Sequence, residues 1–445
     1  MKRRNFIGTS GLFAMSALVS GCSSDRKNHG KEYQDSNSEG LNTLLIAGHT
    51  PRELLKKYKQ FLFDDFLPFM DKHIVDHEYG GFMCNADRNG NQINPNKSAW
   101  YDGRGLWIYS KLYNSFGRDP AWLEIAGKTT DLVLKIRPDN EKFWPGTYTR
   151  EGLTLNNTIS DIYGNLFIAE GLAEYSKATD NEKYWAIAKE IIMSCFRVYD
   201  QNNYQYMIYY GPKIPDINGP RVVGHWMVFL KATSVMLQIK PDNDLEVIYG
   251  RCLDALMNHH FITDFNLMIE VLAHDMTKPE GPFSQFAYLG HAIEVLWMVM
   301  AEAVRKKDKN LFNLASERFK RHVEVAWDDV YGGVFRCLEN VDANIWKVDK
   351  VLWEQEEVLI GTLFMIEHSG DPWAFKWFEK TFNYVMDTFP LKKHGYPLWD
   401  NGGDRKMTFD KESNRIENYH HPRHLILNIQ SLERIINAGG KVIPV

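Results

Sequence analysis

A turn that ends in Asp and opens a helix with aromatic or apolar residues returns five times along the chain. It occurs at Asp119 (GRDPAWLEIA), Asp180 (ATDNEKYWAIA), Asp242 (KPDNDLEVIY), Asp308 (KKDKNLFNLA) and Asp371 (SGDPWAFKWF), at intervals of 61, 62, 66 and 63 residues. A fixed period of this length marks a repeat architecture, in which each unit buries its apolar face only against its neighbours. Asp is a good N-cap and Pro a favoured first helical residue, so all five Asp, with Pro120 and Pro372 behind two of them, read as helix starts.

Each unit is long enough for two helices and their loops, and residues 51–434 hold six units. Six helical hairpins can close on themselves, which removes the need for capping repeats. The expected fold is therefore all-α: an (α/α)6 barrel of twelve helices, with short β-hairpins in the rim loops. An open solenoid of the same units is the alternative. A second recurring element, Asp76-His77-Glu78-Tyr79-Gly80-Gly81-Phe82 and Asp329-Val330-Tyr331-Gly332-Gly333-Val334-Phe335, supplies paired glycines for tight reversals before helices over 103–113 and 352–368. The alternation from Tyr204 to Tyr210 suits a rim hairpin.

The N-terminus is set apart from this pattern. Lys2, Arg3 and Arg4 precede a short apolar stretch from Phe6 to Val19, which ends in Val19-Ser20-Gly21-Cys22. That is a signal peptide, too short and interrupted for a spanning helix. The small residues before Cys22 resemble a bacterial lipoprotein cleavage box, making residues 1–22 the signal and Cys22 the lipidated residue. Arg3-Arg4-Asn5-Phe6-Ile7 also resembles a twin-arginine export signal. Residues 23–50 read as a flexible polar tether and 51–445 as the barrel. The expectation is a lipid-anchored protein of the periplasm or cell surface. The net charge of −5, from 52 basic and 57 acidic residues, gives no reason to expect nucleic acid as a partner. Cys84, Cys195, Cys252 and Cys337 form no CxxC pair and read as buried single thiols.

In such a barrel the inner helices line a cleft, and polar residues there need a task or a partner. Arg104 opens a largely apolar helix; it either steadies an oxyanion or pairs with Asp102 or another acid. His291 and Glu294 are three apart on one helical face, so the Glu can orient the imidazole. Trp353 and Glu357 are four apart, which suits a sugar ring stacked on indole with its hydroxyls on the carboxylate. Three Glu within four positions (354, 356, 357) otherwise form a solvated face. Tyr419-His420-His421-Pro422-Arg423-His424 carries three His in five residues, but without HExxH spacing or an adjacent acidic third ligand no metal site is read there. His291 and His420 on facing walls would make a general acid/base pair near neutral pH.

Taken together, GGF at 80–82, the KxxWxxxR pattern from Lys97 to Arg104, SDIYGNLFIAEGLAEY at 160–175, GHAIE at 290–294, WEQEE at 353–357 and YHHPR at 419–423 resemble the N-acylglucosamine 2-epimerase family, which includes cellobiose 2-epimerases and aldose–ketose isomerases. The resemblance implies catalytic roles for His291, His420, Arg104 and Glu357. It implies substrate contacts for Glu294, Trp297, Trp353, Trp100 and Tyr163. The implied reaction uses no metal and no other cofactor. One His removes the C2 proton of an open-chain reducing sugar, Arg104 holds the enediolate, and the second His returns a proton to the other face. Return at C1 would instead give a ketose. The expected substrate is a free sugar of the N-acylglucosamine/N-acylmannosamine or mannose/glucose type, and the resemblance allows a homodimer.

There is a departure on the middle helix: Val228 and Lys231 follow His225 where cellobiose epimerases carry a histidine followed by a glutamate, which counts against cellobiose. No GxxxxGK[ST] phosphate loop is present. Two other classes remain open at this point. A glycoside hydrolase would need two carboxylates across a cleft, from Asp102, Asp161, Glu294 and Glu357. An inactive sugar-binding lipoprotein would need only the cleft.

Overall fold

A computed structural model describes residues 41, 43–139, 143–155, 160–208, 210–212, 217–392, 398–408 and 414–445. The proposed signal peptide, Cys22 and most of the tether lie outside the described residues. Among the described residues twelve helices follow one another. They are α1 (51–73, with a π-helical segment Gln60–Phe66), α2 (Ala99–Ser115), α3 (Pro120–Lys135), α4 (Ile162–Thr179), α5 (Glu182–Tyr199), α6 (Val223–Ile239), α7 (Asn243–Asp254, extended by the π segment Ala255–His259), α8 (Leu289–Lys306), α9 (Lys309–Ala326), α10 (Leu352–Ser369), α11 (Pro372–Thr388) and α12 (His420–Asn437). No described helix is long and apolar enough to cross a membrane.

The even-numbered helices form the inner ring. They are buried on nearly every face, as α4 and α6 show, whereas α5, α9 and α11 bury one stripe and expose the other. Successive inner helices pack on one another, and α12 meets both α1 and α2, closing the ring. This is the (α/α)6 barrel, not the open solenoid.

The hairpin turns explain the repeat. Asp119, Asp242, Asp308 and Asp371 cap α3, α7, α9 and α11 through their side chains. Asp180 does not: it sits at φ 52°, ends α4 in a left-handed conformation, and leaves the capping of α5 to Asn181. Arg118, Lys307 and Gly370 hold the same left-handed position directly before their caps. The turn therefore has two consecutive slots, a left-handed residue and a cap; Asp tolerates the first nearly as well as the second.

Among the described residues four two-stranded antiparallel sheets decorate the loops. They pair Arg221–Val222 with Val271–Leu272, Phe261–Ile262 with Leu267–Met268, Cys337–Asn340 with Ile345–Lys347, and Lys350–Val351 with Gly402–Gly403. The hairpin expected over 204–210 is not formed among its described residues; Tyr204 and Tyr206 instead pack their rings on His225. The tether ends before residue 50, because Leu41 and Ile46 are buried and Ile46 exchanges two backbone hydrogen bonds with His49. All four of the later cysteines are buried free thiols.

The two glycine turns are held by matching clamps. Asp76 accepts from the backbone of Glu78 and Tyr79, and pairs with Lys97 (2.8 Å) and Arg150 (2.7 Å). Asp328 accepts from Val330 and Tyr331, and pairs with Lys350 (2.8 Å) and Arg405 (2.9 Å). Each lysine also donates to a glycine carbonyl of its own turn, Gly80 or Gly332. A Cβ at Gly81 would lie 2.7 Å from Asp102 and one at Gly333 2.3 Å from the Tyr384 ring, and both glycines have positive φ. The clamping lysines stand two residues before α2 and α10, the helices that carry Arg104 and Glu357 in their second turns.

Candidate active site

Each inner helix brings one ring-bearing side chain to the same rim from its first turn: Trp100, Tyr163, His225, His291, Trp353 and His420. Four of the six neighbouring pairs around this rim are in ring contact. Ring centroids are 5.0 Å apart for Trp100 and Tyr163, 4.5 Å for Tyr163 and His225, 6.1 Å for His291 and Trp353, and 5.0 Å for Trp353 and His420. The two histidines expected to act together thus share Trp353 as a common neighbour. His420 and Trp353 line a cavity of about 530 Å³ together with Glu356, Trp399, Glu417 and His421. His291 is not in that lining and reaches the cavity's edge only by way of Trp353.

Both imidazoles are oriented through Nδ1. His291 places it 2.9 Å from the Oε1 of Glu270, a buried carboxylate that also accepts from the Tyr210 hydroxyl at 3.0 Å. His420 places its Nδ1 3.0 Å from the Oε1 of Glu357. At His291, Nδ1–H donating to Glu270 leaves Nε2 as the lone pair available for proton transfer; at His420, Nδ1 stands 3.0 Å from both the Glu357 acceptor and the Arg423 Nη2 donor. Burial, reinforced by the Arg423 and Arg104 charges and opposed by Glu294 and Glu417, pushes His420 down to about 3 and keeps it neutral.

Glu294 does not orient His291, contrary to the spacing argument. It accepts at 2.6 Å from Nη2 of Arg423, which also contacts Glu357. The sequence reading gave Arg423 no role, yet it neutralises the two carboxylates that surround His420. Trp297 is buried and donates its indole N–H to Glu357 at 2.7 Å, so it steadies that carboxylate from behind. Trp353 and Trp100 are partly exposed, whereas Tyr163 is buried against His225.

Arg104 lies among aromatic faces, its guanidinium carbon 4.2 Å from the Phe167 centroid and 4.7 Å from those of Trp100 and Tyr419. Its acid partner is Glu417, at 3.6 Å, and not Asp102. Asp102 accepts from Phe82 N–H and the Tyr148 hydroxyl, and burial pushes it up to about 7. Glu417 accepts from the Tyr419 and His420 amides at the N-terminus of α12. Burial disfavours its charge, but His420, Arg104 and the Tyr419 amide together hold it below the ordinary carboxylate range.

The glutamates of WEQEE are buried, which removes the solvated-face reading. Two groups bring carboxylate and imidazole donors within 4.8 Å of one another: Glu294–Glu357–His420 and Glu356–His421–His424. In the first, Arg423 already supplies the cation. In the second, Glu356 on α10 supplies the acidic group that the sequence around the three histidines lacks.

Glu270, Arg423 and Glu417 are thus site residues that the sequence reading missed. Glu270 left one usable signal, a single acid inside the apolar run Leu267-Met268-Ile269-Glu270-Val271-Leu272.

Comparison with known proteins agrees with this architecture. Residues 80–422 match the family described as N-acylglucosamine 2-epimerase (GlcNAc 2-epimerase). The N-acylglucosamine 2-epimerase of Mus musculus is 24% identical over 365 residues, covering 77% of this chain and 84% of its own. The cellobiose 2-epimerase structure from Bacillus thermoamylovorans B4167 superposes with a TM-score of 0.73 at 17% identity, covering 85% of this chain and 99% of its own. A D-mannose isomerase structure superposes with a TM-score of 0.68 at 13% identity, covering 86% and 97%.

Proposed function

The chain belongs to the N-acylglucosamine 2-epimerase family and is a sugar 2-epimerase, and from that premise we propose that His291 and His420 exchange the C2 proton of a free reducing sugar through an enediolate. The observation that carries this reading is the matched pair of imidazoles, each with Nδ1 at a buried carboxylate and both beside Trp353. A sugar lying on the Trp353 indole would present C2 between two Nε2 lone pairs. One takes the proton and the other returns it from the opposite face, which inverts C2. Arg104 is the fixed cation for the oxygen that gains charge, in an aromatic setting where its field is little screened. Glu357 holds His420, and Arg423 opposes the burial that raises the Glu357 carboxyl above its ordinary range.

The proposed substrate is a neutral aldose of the N-acylmannosamine/N-acylglucosamine or mannose/glucose type. A cellobiose-like disaccharide is disfavoured because Val228 and Lys231 replace polar acceptors on α6, and Lys231 is spent near Glu170 at 3.7 Å and over Trp107. The glycoside-hydrolase alternative loses its carboxylates: Glu294 and Glu357 share Arg423, Asp161 caps α4 through Gly164 N–H, and Asp102 is buried in structural bonds. The test is incubation with N-acetylmannosamine, mannose and cellobiose in heavy water, read by proton NMR. Deuterium should enter at C2 of at least one, and His291→Ala and His420→Ala should each abolish it. No incorporation with any of them, or retention in both variants, would sink the proposal.

A further inference from the structure

We propose that Glu356, His421 and His424 form a binding site for one first-row divalent transition-metal ion, with Zn²⁺ as the reference case. The site is separate from the acid/base pair and does not depend on the epimerase reading. His421 and His424 are three apart at the start of α12 and share a face; Glu356 reaches them from the first two turns of α10. All three side chains are 5% exposed or less.

The donors converge on one point. Nδ1 of His421 contacts Oε1 of Glu356, and Nδ1 of His424 lies 3.3 Å from the same oxygen. That second approach is not aligned as a hydrogen bond, and His424 Nδ1, Glu356 Oε2 and His421 Nε2 have no hydrogen-bond partner despite being buried. Buried polar atoms without partners are costly, and a cation taking the place of the imidazole protons between the three groups would satisfy them. The neighbouring cluster shows the contrast, since there Arg423 donates to both Glu294 and Glu357. At Glu356 the charged neighbours are instead Glu417 and Glu357, with His424.

The surroundings are those of a metal centre. The other nitrogen of His424 meets the Tyr58 hydroxyl at 3.1 Å, and Asn428 in turn donates to that hydroxyl, so the ring is fixed with Nδ1 toward the carboxylate. Phe66 and Trp399 flank His421, and Tyr58 flanks His424. Two imidazoles and one carboxylate suit Zn²⁺ and its neighbours, which need about 2.0–2.2 Å to each donor. The donor atoms already lie within 4.8 Å of one another, so small rotations suffice. Glu356 and His421 line the 530 Å³ cavity, which provides an entry path and room for a further ligand. A bound ion would tie α10 to α12 next to Glu357 and His420 and so fix their separation.

The experiment uses the full chain without a polyhistidine tag, stripped by chelator and titrated with ZnCl₂ by calorimetry. Metal content after dialysis is measured by plasma mass spectrometry, and the visible spectrum of the Co²⁺ form is recorded. One ion per chain is expected, with affinity reduced on the order of tenfold or more in Glu356→Gln and His424→Ala, and with the Co²⁺ bands lost or shifted. Glu356→Gln keeps the shape of the side chain and decides the matter if His424→Ala fails to fold by circular dichroism. A wild-type chain that takes up no Zn²⁺, or a Glu356→Gln chain that binds it like wild type, would overturn the site.

Discussion

Removing the charge of Glu270 separates orientation from chemistry. Glu270→Gln keeps the volume but no longer fixes the tautomer of His291, so C2 exchange should slow by about 10²-fold with KM nearly unchanged. Steady-state kinetics of deuterium incorporation would show it; an equal fall in affinity would mean that Glu270 binds sugar instead. Arg423→Met should be harsher on the fold. It leaves Glu294 and Glu357 facing each other in a buried space, a loss of about 3–5 kcal/mol, visible as a lower midpoint in urea. The histidines, Arg104 and Trp353 were legible because they sit in short motifs on predicted helices. Glu270 was not, because a loop delivers it to His291 from 21 residues away, and neither was the switch of Glu294 from His291 to Arg423. Helical spacing says which side chains share a face, and it is silent on which neighbouring helix offers the stronger partner.

At the level of elements, the Asp76–Lys97–Arg150 and Asp328–Lys350–Arg405 clamps do one job twice. In each, a buried lysine joins a glycine turn to the strand or helix start that follows. Lys350→Met should destabilise the protein by about 3 kcal/mol and, through the first turn of α10, reduce C2 exchange as well. A drop in denaturation midpoint without any change in exchange would uncouple the clamp from the site. The repeat itself was readable from its capping residues because helix starts obey local rules. Asp180 was misplaced by one position for the same reason: the left-handed slot and the cap accept similar residues, and only the backbone angle tells them apart. Among its described residues the strand expected over 204–210 does not form: Tyr204 and Tyr206 pack on His225, and Tyr210 on Tyr288 and His291.

For the whole molecule, acid sensitivity follows from buried imidazoles. Burial lowers His225 to about 3 and His260 and His322 to about 4. The unfolded chain, with histidines near 6.5, takes up those protons first as pH falls, so stability is fully present above about 6.5 and is lost progressively toward 4. The thermal midpoint should therefore drop between pH 7 and pH 5, with net proton uptake on unfolding measurable by calorimetry in buffers of different ionisation enthalpy. The proposed lipid anchor makes a prediction at the same scale. Wild-type chain expressed in a bacterium should partition with membranes and Cys22→Ser with the soluble fraction; equal distribution would remove the anchor.

The six first-turn positions around the rim are related by the barrel's own rotation, and they hold two indoles, one phenol and three imidazoles. A single codon change at any of them exchanges a flat platform for a titratable one without altering a helix. Relocating the chemistry on this scaffold takes one more change, a carboxylate behind the new imidazole like Glu270 or Glu357. A descendant could move its proton carrier one seat around the axis and address a different carbon of the same ligand, while every hairpin stays where it was.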